Sequence, residues 1–515
     1  MSQEKRVWLA AILSSLVLVA YSQILSKTTA PHPQPIPSQD AVQLPSQAQE
    51  VALETHAQLI REEDVIELHS SQLFLALGKE SRSVRAVTLK DYENILTKEP
   101  LRFGNSVPIL SVLVGGLSGS WSPAEIRQAR AAWSFKQESG ISGELAIEME
   151  QAKPTYTVRL LLKNESGQPQ RIPVKLTASW KRADEISGNY NLLEAVLFTQ
   201  KTAQWQRTHL TYRDGTSQIK RVPRGTSLMT LSERFFCQSI KFESDAPVSS
   251  SLLPAEKGEL AVLAESELAI GPNESAKYNV TVYSGPRDFF RLRDAGFEEA
   301  FPRGLLANIG LFLMFMLKLI ASVVKNYGTA VILLAALVTA ALSPFTIVSV
   351  RSMKKMQELQ PKMEQIKAKH AGDPQRINKE TLAIFKEHKV SPLSGCLPMF
   401  MQLPIFFALW SVISHAIELR GERLLWIKDL SLPDRLAKLP IGLDLNLLPI
   451  LMAIAMYVQT KLSQPKTKNQ TANMLAGPMM PMLFGVMFYQ VPSGLVLYWL
   501  TNSLTSILWY RVAKV

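Results

Sequence analysis

The chain has 515 residues, 47% hydrophobic and 19% charged, with a formal net charge of +12. That length exceeds a single domain, and the charged fraction lies below the roughly 25% usual in soluble proteins. The longest apolar runs fall after residue 300, which excludes a wholly soluble chain, and the excess of Lys and Arg suits either anionic partners (lipid head groups, ribosomal RNA) or membrane topology alone.

Lys5 and Arg6 precede the apolar run Val7–Tyr21, the pattern of a secretory signal. Pro31 directly follows Thr28-Thr29-Ala30 and disfavours cleavage there. Residues 1–26 are therefore expected to stay as a transmembrane signal anchor with a cytoplasmic N-terminus. Residues 27–50 are rich in Pro, Gln and Ser and read as an extended linker.

Residues 51–300 turn toward period 2. Tyr156–Leu162, Ile172–Trp180 and Tyr278–Tyr283 are rich in strand formers, and Asn164-Glu165-Ser166-Gly167 and Arg213-Asp214-Gly215 are turn signals. Many short strands in such a length predict a large β-sandwich. His56 and His69 read as surface residues and Cys237 as a small buried apolar residue. No metal-ligand spacing and no nucleophile–base pair stands out here, so neither a metal nor another cofactor is expected. A sugar or a peptide would suit such a domain, but the residues do not choose between them.

Residues 301–326 contain the apolar run Gly304–Val324, interrupted by Lys318. Beyond it come four apolar stretches with no Lys or Arg: Ala330–Val350, Leu397–His415, Leu447–Val458 and Met474–Tyr510. The last divides into two crossings, Met474–Tyr489 and Leu495–Tyr510. A crossing helix needs roughly 20 largely apolar residues. Counted as alternate crossings after the anchor, these five put the basic clusters around Arg351–Lys389, Lys461–Lys468 and Arg511–Lys514 on the cytoplasmic side and the β domain in the periplasm, as the positive-inside rule requires. A crossing by Gly304–Val324 would invert every later loop. It is therefore expected to lie on the outer interface as an amphipathic helix with Lys318 snorkelling. Cys237 and Cys396 then fall on opposite sides and form no disulfide.

Within residues 351–390, Arg351–Lys389 holds ten basic and five acidic residues. Met353, Met356, Met363 and Ile366 recur at helical spacing, as do Ile377, Thr381, Ile384 and Phe385. Between them, Ala371-Gly372-Asp373-Pro374 combines a helix stop, an N-cap and a first-turn proline. This predicts an antiparallel helical hairpin in the cytoplasm. Arg351, Lys354, Lys355, Lys362 and Lys367 would be its docking face, or a basic loop serving topology alone.

Four ordered motifs then carry a family resemblance: Leu359-Gln360-Pro361-Lys362; Ser391-Pro392-Leu393-Ser394-Gly395-Cys396-Leu397-Pro398; Gln402-Leu403-Pro404-Ile405-Phe406; and Val491-Pro492-Ser493-Gly494-Leu495-Val496-Leu497-Tyr498-Trp499. From Tyr327 to Tyr510 the chain resembles the YidC family of membrane protein insertases, and the anchor with its β domain matches the Gram-negative branch of that family. The resemblance implies a multi-domain membrane protein: an all-α five-helix insertase core in residues 327–515, a signal-anchor helix and a periplasmic β-sandwich. It implies a multi-pass protein of the cell inner membrane that inserts and helps fold newly made membrane proteins. The route would be a hydrophilic groove open to cytoplasm and lipid. The expected partners are nascent membrane proteins, the Sec translocon, the ribosome and the lipid bilayer. No enzyme activity, cofactor or small-molecule substrate is implied.

The family usually carries an arginine five residues before the first core proline, and counting back from Pro344 that position is Thr339. The groove is thus expected to be wetted by neutral groups. The candidates are Thr339, Ser343, Gln402, Asn502 and Ser503, with Ser411 and Thr505 beside them. Each could equally be an ordinary interhelical hydrogen-bonding residue. By motif, the substrate-sliding face falls on Leu403, Pro404, Met487, Tyr498 and Trp499, which could also serve packing. Two other readings remain. One is a translocon-dependent chaperone without autonomous insertion. The other is an intramembrane serine protease pairing Ser493 with His415, for which no orienting third group is evident.

Overall fold

A computed structural model describes residues 64–94, 97–104, 108–115, 121–181, 193–201, 204–211, 221–222, 225–253, 259–301, 305–370, 372–388, 397–438, 444–463 and 479–512. The expected anchor and linker, His56, the Arg213-Asp214-Gly215 turn, Cys396 and the Lys466–Lys468 cluster lie outside these residues.

Strand alternation builds the first half. In Thr155–Asn164, Tyr156, Val158, Leu160 and Leu162 turn inward while Arg159 and Lys163 face solvent. Asn164 closes the turn that follows: its Oδ1 accepts from Ser166 N at 2.9 Å and its Nδ2 donates to Gln168 O at 2.8 Å. Eighteen strands between Val65 and Pro286 form two nine-stranded sheets among the described residues. In one, Gln170–Lys181 runs antiparallel to Glu259–Ile270, with Leu176 opposite Ala264. In the other, Ser275–Pro286 lies between Phe236–Ser244 and Thr155–Asn164. Leu176, Trp180 and Val262 from the first sheet share one core with Tyr156, Leu160, Ile240 and Val280 from the second. Phe103 meets Phe236 across the layers, with ring centroids 5.5 Å apart. This is the expected β-sandwich. Cys237 is buried, and His69 is half-exposed beside Glu67.

Among the described residues nine α-helices follow: α1 (Phe289–Asp294), α2 (Leu305–Val324), α3 (Tyr327–Glu358), α4 (Gln360–Lys369), α5 (Pro374–Glu387), α6 (Leu397–His415), α7 (Leu447–Ser463), α8 (Met480–Met487) and α9 (Ser493–Val512). By length and apolar composition, α2 and α3 could each cross a bilayer. The buried faces of α2, α3, α6, α7 and α9 meet in one core that includes Leu317, Leu334, Leu409, Met452 and Tyr498.

Three elements differ from the sequence expectation. First, α3 does not stop at Val350 but continues to Glu358 through Pro344. The residues after Val350 include Met, Lys and Glu, all good helix formers. The carbonyl that Pro344 cannot bond is Ala340 O, and Ser343 Oγ donates to it at 2.8 Å. Met353 and Met356 therefore sit on α3, and Leu359, at the start of Leu359-Gln360-Pro361-Lys362, marks a break rather than helix interior. Second, the described helix within Met474–Tyr489 covers only Met480–Met487. Third, Lys318 does not snorkel alone. Its Nζ lies 2.8 Å from both Asp288 Oδ2 and Glu418 Oε1, and 4.8 Å from the Phe290 ring centre.

Helices α4 and α5 form a helical hairpin, while Arg351–Glu358 belongs to α3. Gly372 takes a positive φ of 107° before Asp373, whose Oδ1 accepts from Arg376 N at 3.1 Å, and Pro374 opens α5. Leu359 and Phe385 are buried together, with Met356, Met363 and Ile384 packed against them.

Candidate functional site

Chain direction places the ends of the bundle. Tyr327 N, at the start of α3, donates to Glu422 Oε1 at 3.0 Å. Arg420, in the same loop, donates to Glu93 O of the sandwich at 2.9 Å. Thus α3 begins at the sandwich side and runs 32 residues, about 48 Å at 1.5 Å per residue, to the hairpin. α6 returns and ends at His415, and the carbonyl of Ser414 in its last turn also meets the sandwich. α7 starts again on the sandwich side, where Asp434 Oδ2 accepts from Leu448 N at 2.8 Å. Arg351, Lys354, Lys355, Lys362 and Lys367 are all exposed at the other end, with Lys362 Nζ 3.1 Å from His388 Nε2.

Between these ends, three helices bring uncharged polar groups together. Thr339 of α3 is 8% exposed, and its Oγ1 lies 2.7 Å from Ala335 O and 3.0 Å from Asn502 Oδ1 of α9. One hydroxyl proton serves both acceptors. Ser506 Oγ reaches the same Asn502 oxygen at 3.5 Å. Gln402 Nε2 of α6 donates to the Tyr498 hydroxyl of α9 at 3.4 Å, a long bond. The polar candidates thus form two cross-links, α3 to α9 and α6 to α9. Ser503 is buried and Thr505 half-buried on the same helix. Ser343 faces a different task, since its hydroxyl repairs the backbone at Pro344. Ser411 contributes its carbonyl, which takes the His415 Nδ1 proton at 2.7 Å.

The apolar candidates divide. Leu403 and Met487 are exposed, at 37% and 55%, as are Met482, Val486 and Leu508. Pro404 and Trp499 are half-buried. Trp499 belongs to an aromatic cluster joining three helices: its ring centroid lies 5.1 Å from Phe406, 5.4 Å from Phe484 and 5.5 Å from Phe488. Tyr498 is fully buried, so it belongs with the polar cross-links rather than with an exposed sliding surface. Residue pattern alone could not separate it from Trp499, because adjacent positions on a helix differ by about 100° in facing.

The protease reading loses its pair. Ser493 Oγ donates to Asp429 O at 3.1 Å, and His415 bonds Ser411 O, so each is bound to main chain rather than to the other. Among the described residues no cluster of His, Cys, Asp and Glu could hold a metal ion.

Sequence reasoning missed Arg234, Asp288 and Glu418. All three tie the sandwich side to the bundle, and their only sequence signal is a charge beside an apolar run.

Residues 319–514 match the family described as 60Kd inner membrane protein. A membrane protein insertase YidC of Anaeromyxobacter sp. (strain Fw109-5) is 41% identical over 239 residues, covering 45% of this chain and 42% of the relative. A YidC insertase of Endomicrobium trichonymphae is 39% identical over 234 residues, covering 45% and 44%. One of Pelobacter propionicus is 33% identical over 301 residues, covering 57% and 55%. The chain thus spans about half the length of these curated relatives. Among solved structures, an active YidC insertase crystal structure aligns with 90% of this chain and 98% of its own at 18% identity and a TM-score of 0.37. A galactose mutarotase related enzyme from Lactobacillus acidophilus aligns with 43% of this chain and 97% of its own at 8% identity and a TM-score of 0.33. Over residues 319–514 this chain is therefore similar in sequence to the 60Kd inner membrane protein family, and over 45% of its length to proteins named membrane protein insertase YidC.

Proposed function

We propose that this chain is a membrane protein insertase and folding helper of the inner membrane. The observation that carries the reading is the pair of neutral cross-links, Thr339–Asn502 and Gln402–Tyr498, set inside an apolar bundle beside exposed Leu403. A charged side chain at the bilayer centre costs about 2.5–3.5 kcal/mol on insertion scales. A polar path part-way through the bundle shortens the dry distance that a substrate's hydrophilic tail must cross. The substrate's apolar helix meanwhile moves along the exposed faces of Leu403 and Met487 into lipid. Burial of that helix drives the step, and no chemical reaction is required.

The orientation follows from charge. The exposed basic hairpin faces the cytoplasm, where it can meet the ribosome or the translocon, and the sandwich stands in the periplasm. Helix α2 lies along the outer interface, with Lys318 held by Asp288 and Glu418 rather than by water.

The test is reconstitution of the purified full chain in liposomes with a short single-span substrate. Protease protection of the translocated tail above empty liposomes is the expected result. Thr339→Val, which removes the link to Asn502, should lower it. No protection from correctly oriented, folded protein would leave a chaperone that needs the translocon.

A further inference from the structure

Arg234 lies in the turn between the strands Thr226–Ser232 and Phe236–Ser244, on the side of the sandwich that meets the bundle. It is 4% exposed. Its Nε donates to Ser414 O at 2.7 Å, and its Nη2 donates to Ser431 O at 2.7 Å. Ser414 is in the last turn of α6, where helix carbonyls lack partners and the helix dipole favours a cation. Ser431 belongs to the segment that holds the start of α9. Gly494 N donates to Leu430 O and Ser493 N to Leu432 O, both at 2.8 Å, and Ser493 Oγ donates to Asp429 O. One guanidinium from the sandwich therefore spans the ends of α6 and α9. Those helices carry Gln402 and Tyr498, the two halves of one polar cross-link.

We infer that Arg234 is a positioning residue for insertion: it braces α6 against α9 from the sandwich and so sets the spacing of the Gln402–Tyr498 pair. The planar fork of arginine suits two carbonyls held in different segments. On this reading the β domain is a working part of the insertion path. The inference rests on α6 and α9 being walls of that path.

The experiment uses the full chain in liposomes with Cys396→Ser. Gln402→Cys serves as reporter for a water-soluble maleimide, and native Cys237, fully buried, reports whether the sandwich stays folded. Insertion is scored separately in chains that keep Gln402. Arg234→Met keeps an unbranched apolar stem but no donors. It is expected to raise labelling at position 402 at least about tenfold, because it removes two charge-assisted hydrogen bonds and the loss of one alone shifts a two-arrangement packing by about that much. Substrate protection should fall while Cys237 stays protected. Gly494→Ala approaches the same joint without touching the sandwich, because its Cβ would meet Leu430 O at 3.1 Å and Leu419 Cδ1 at 3.2 Å. It should raise labelling in the same direction, and it decides the matter if Arg234→Met exposes Cys237. Labelling unchanged in the folded variants overturns the brace. A wild type that inserts nothing, with labelling that still responds to Arg234→Met, upholds the brace and removes the insertion reading instead.

Discussion

At the residue scale, Lys318 is the most constrained ion in the apolar half. It interrupts α2, yet both its partners are largely buried, with Asp288 6% and Glu418 14% exposed at the side chain. Removing the cation leaves two carboxylates close together without their shared counter-ion, with Asp288 Oδ1 still accepting from Arg291 N at 3.1 Å. Fully buried pairs lose about 3–5 kcal/mol when one partner is removed; partial exposure here lowers the expectation for Lys318→Met to about 2 kcal/mol. Thermal unfolding of the detergent-solubilised protein should show that loss, and Lys318→Arg should recover most of it. The sequence displays the lysine but not its partners, because Asp288 and Glu418 stand 30 and 100 positions away from it. The same limit applied to Tyr498. Its motif was legible, while its burial depends on which way α9 is turned.

At the element scale, legibility followed local pattern. The sandwich strands, the hairpin turn at Gly372-Asp373-Pro374 and the full extent of α6 could be read from alternation, caps and apolar runs. The end of α3 could not, since charge suggested a boundary at Arg351 while helix propensity carried the backbone on to Glu358. Asp373 is the cap of α5, and Asp373→Ala should cost about 1 kcal/mol of that helix. Faster amide exchange across Pro374–Glu387, with exchange in α9 unchanged, would register it. The sandwich has a different weakness. Burial pushes the Cys237 thiol from its ordinary 9 up to about 12, and the Tyr92 hydroxyl from 10 up to about 12. Both folded values lie above the unfolded ones, so the folded state favours the protonated forms. Their contribution is fully present below about pH 9 and is lost as pH rises toward 12. Tryptophan fluorescence and tyrosinate absorbance followed together should show cooperative alkaline unfolding of the sandwich in that window. Cys237→Ser removes the thiol titration and should flatten its lower edge.

At the scale of the whole molecule, the apolar stretches Ala330–Val350, Leu397–His415, Leu447–Val458 and Met474–Tyr510 carry no Lys or Arg, so on the proposed insertion path a substrate's charge would meet only amide and hydroxyl dipoles. Tails rich in neutral polar residues should insert better than acidic tails of equal length. Thr339→Arg should narrow or reverse that preference, and equal relative efficiency in both proteins would remove charge as the discriminating property. The continuity of α3 adds a mechanical consequence. About 30 Å of its 48 Å suffices for the hydrocarbon layer. In the proposed orientation the remainder would stand beyond it as a stiff lever with the hairpin at its tip. The missing backbone bond at Pro344 makes that point the fulcrum, five residues from Thr339. A load on the hairpin would then act as a torque on the Thr339–Asn502 contact. On the proposed function, the hairpin would thereby signal a substrate's arrival to the polar path before that substrate has entered it.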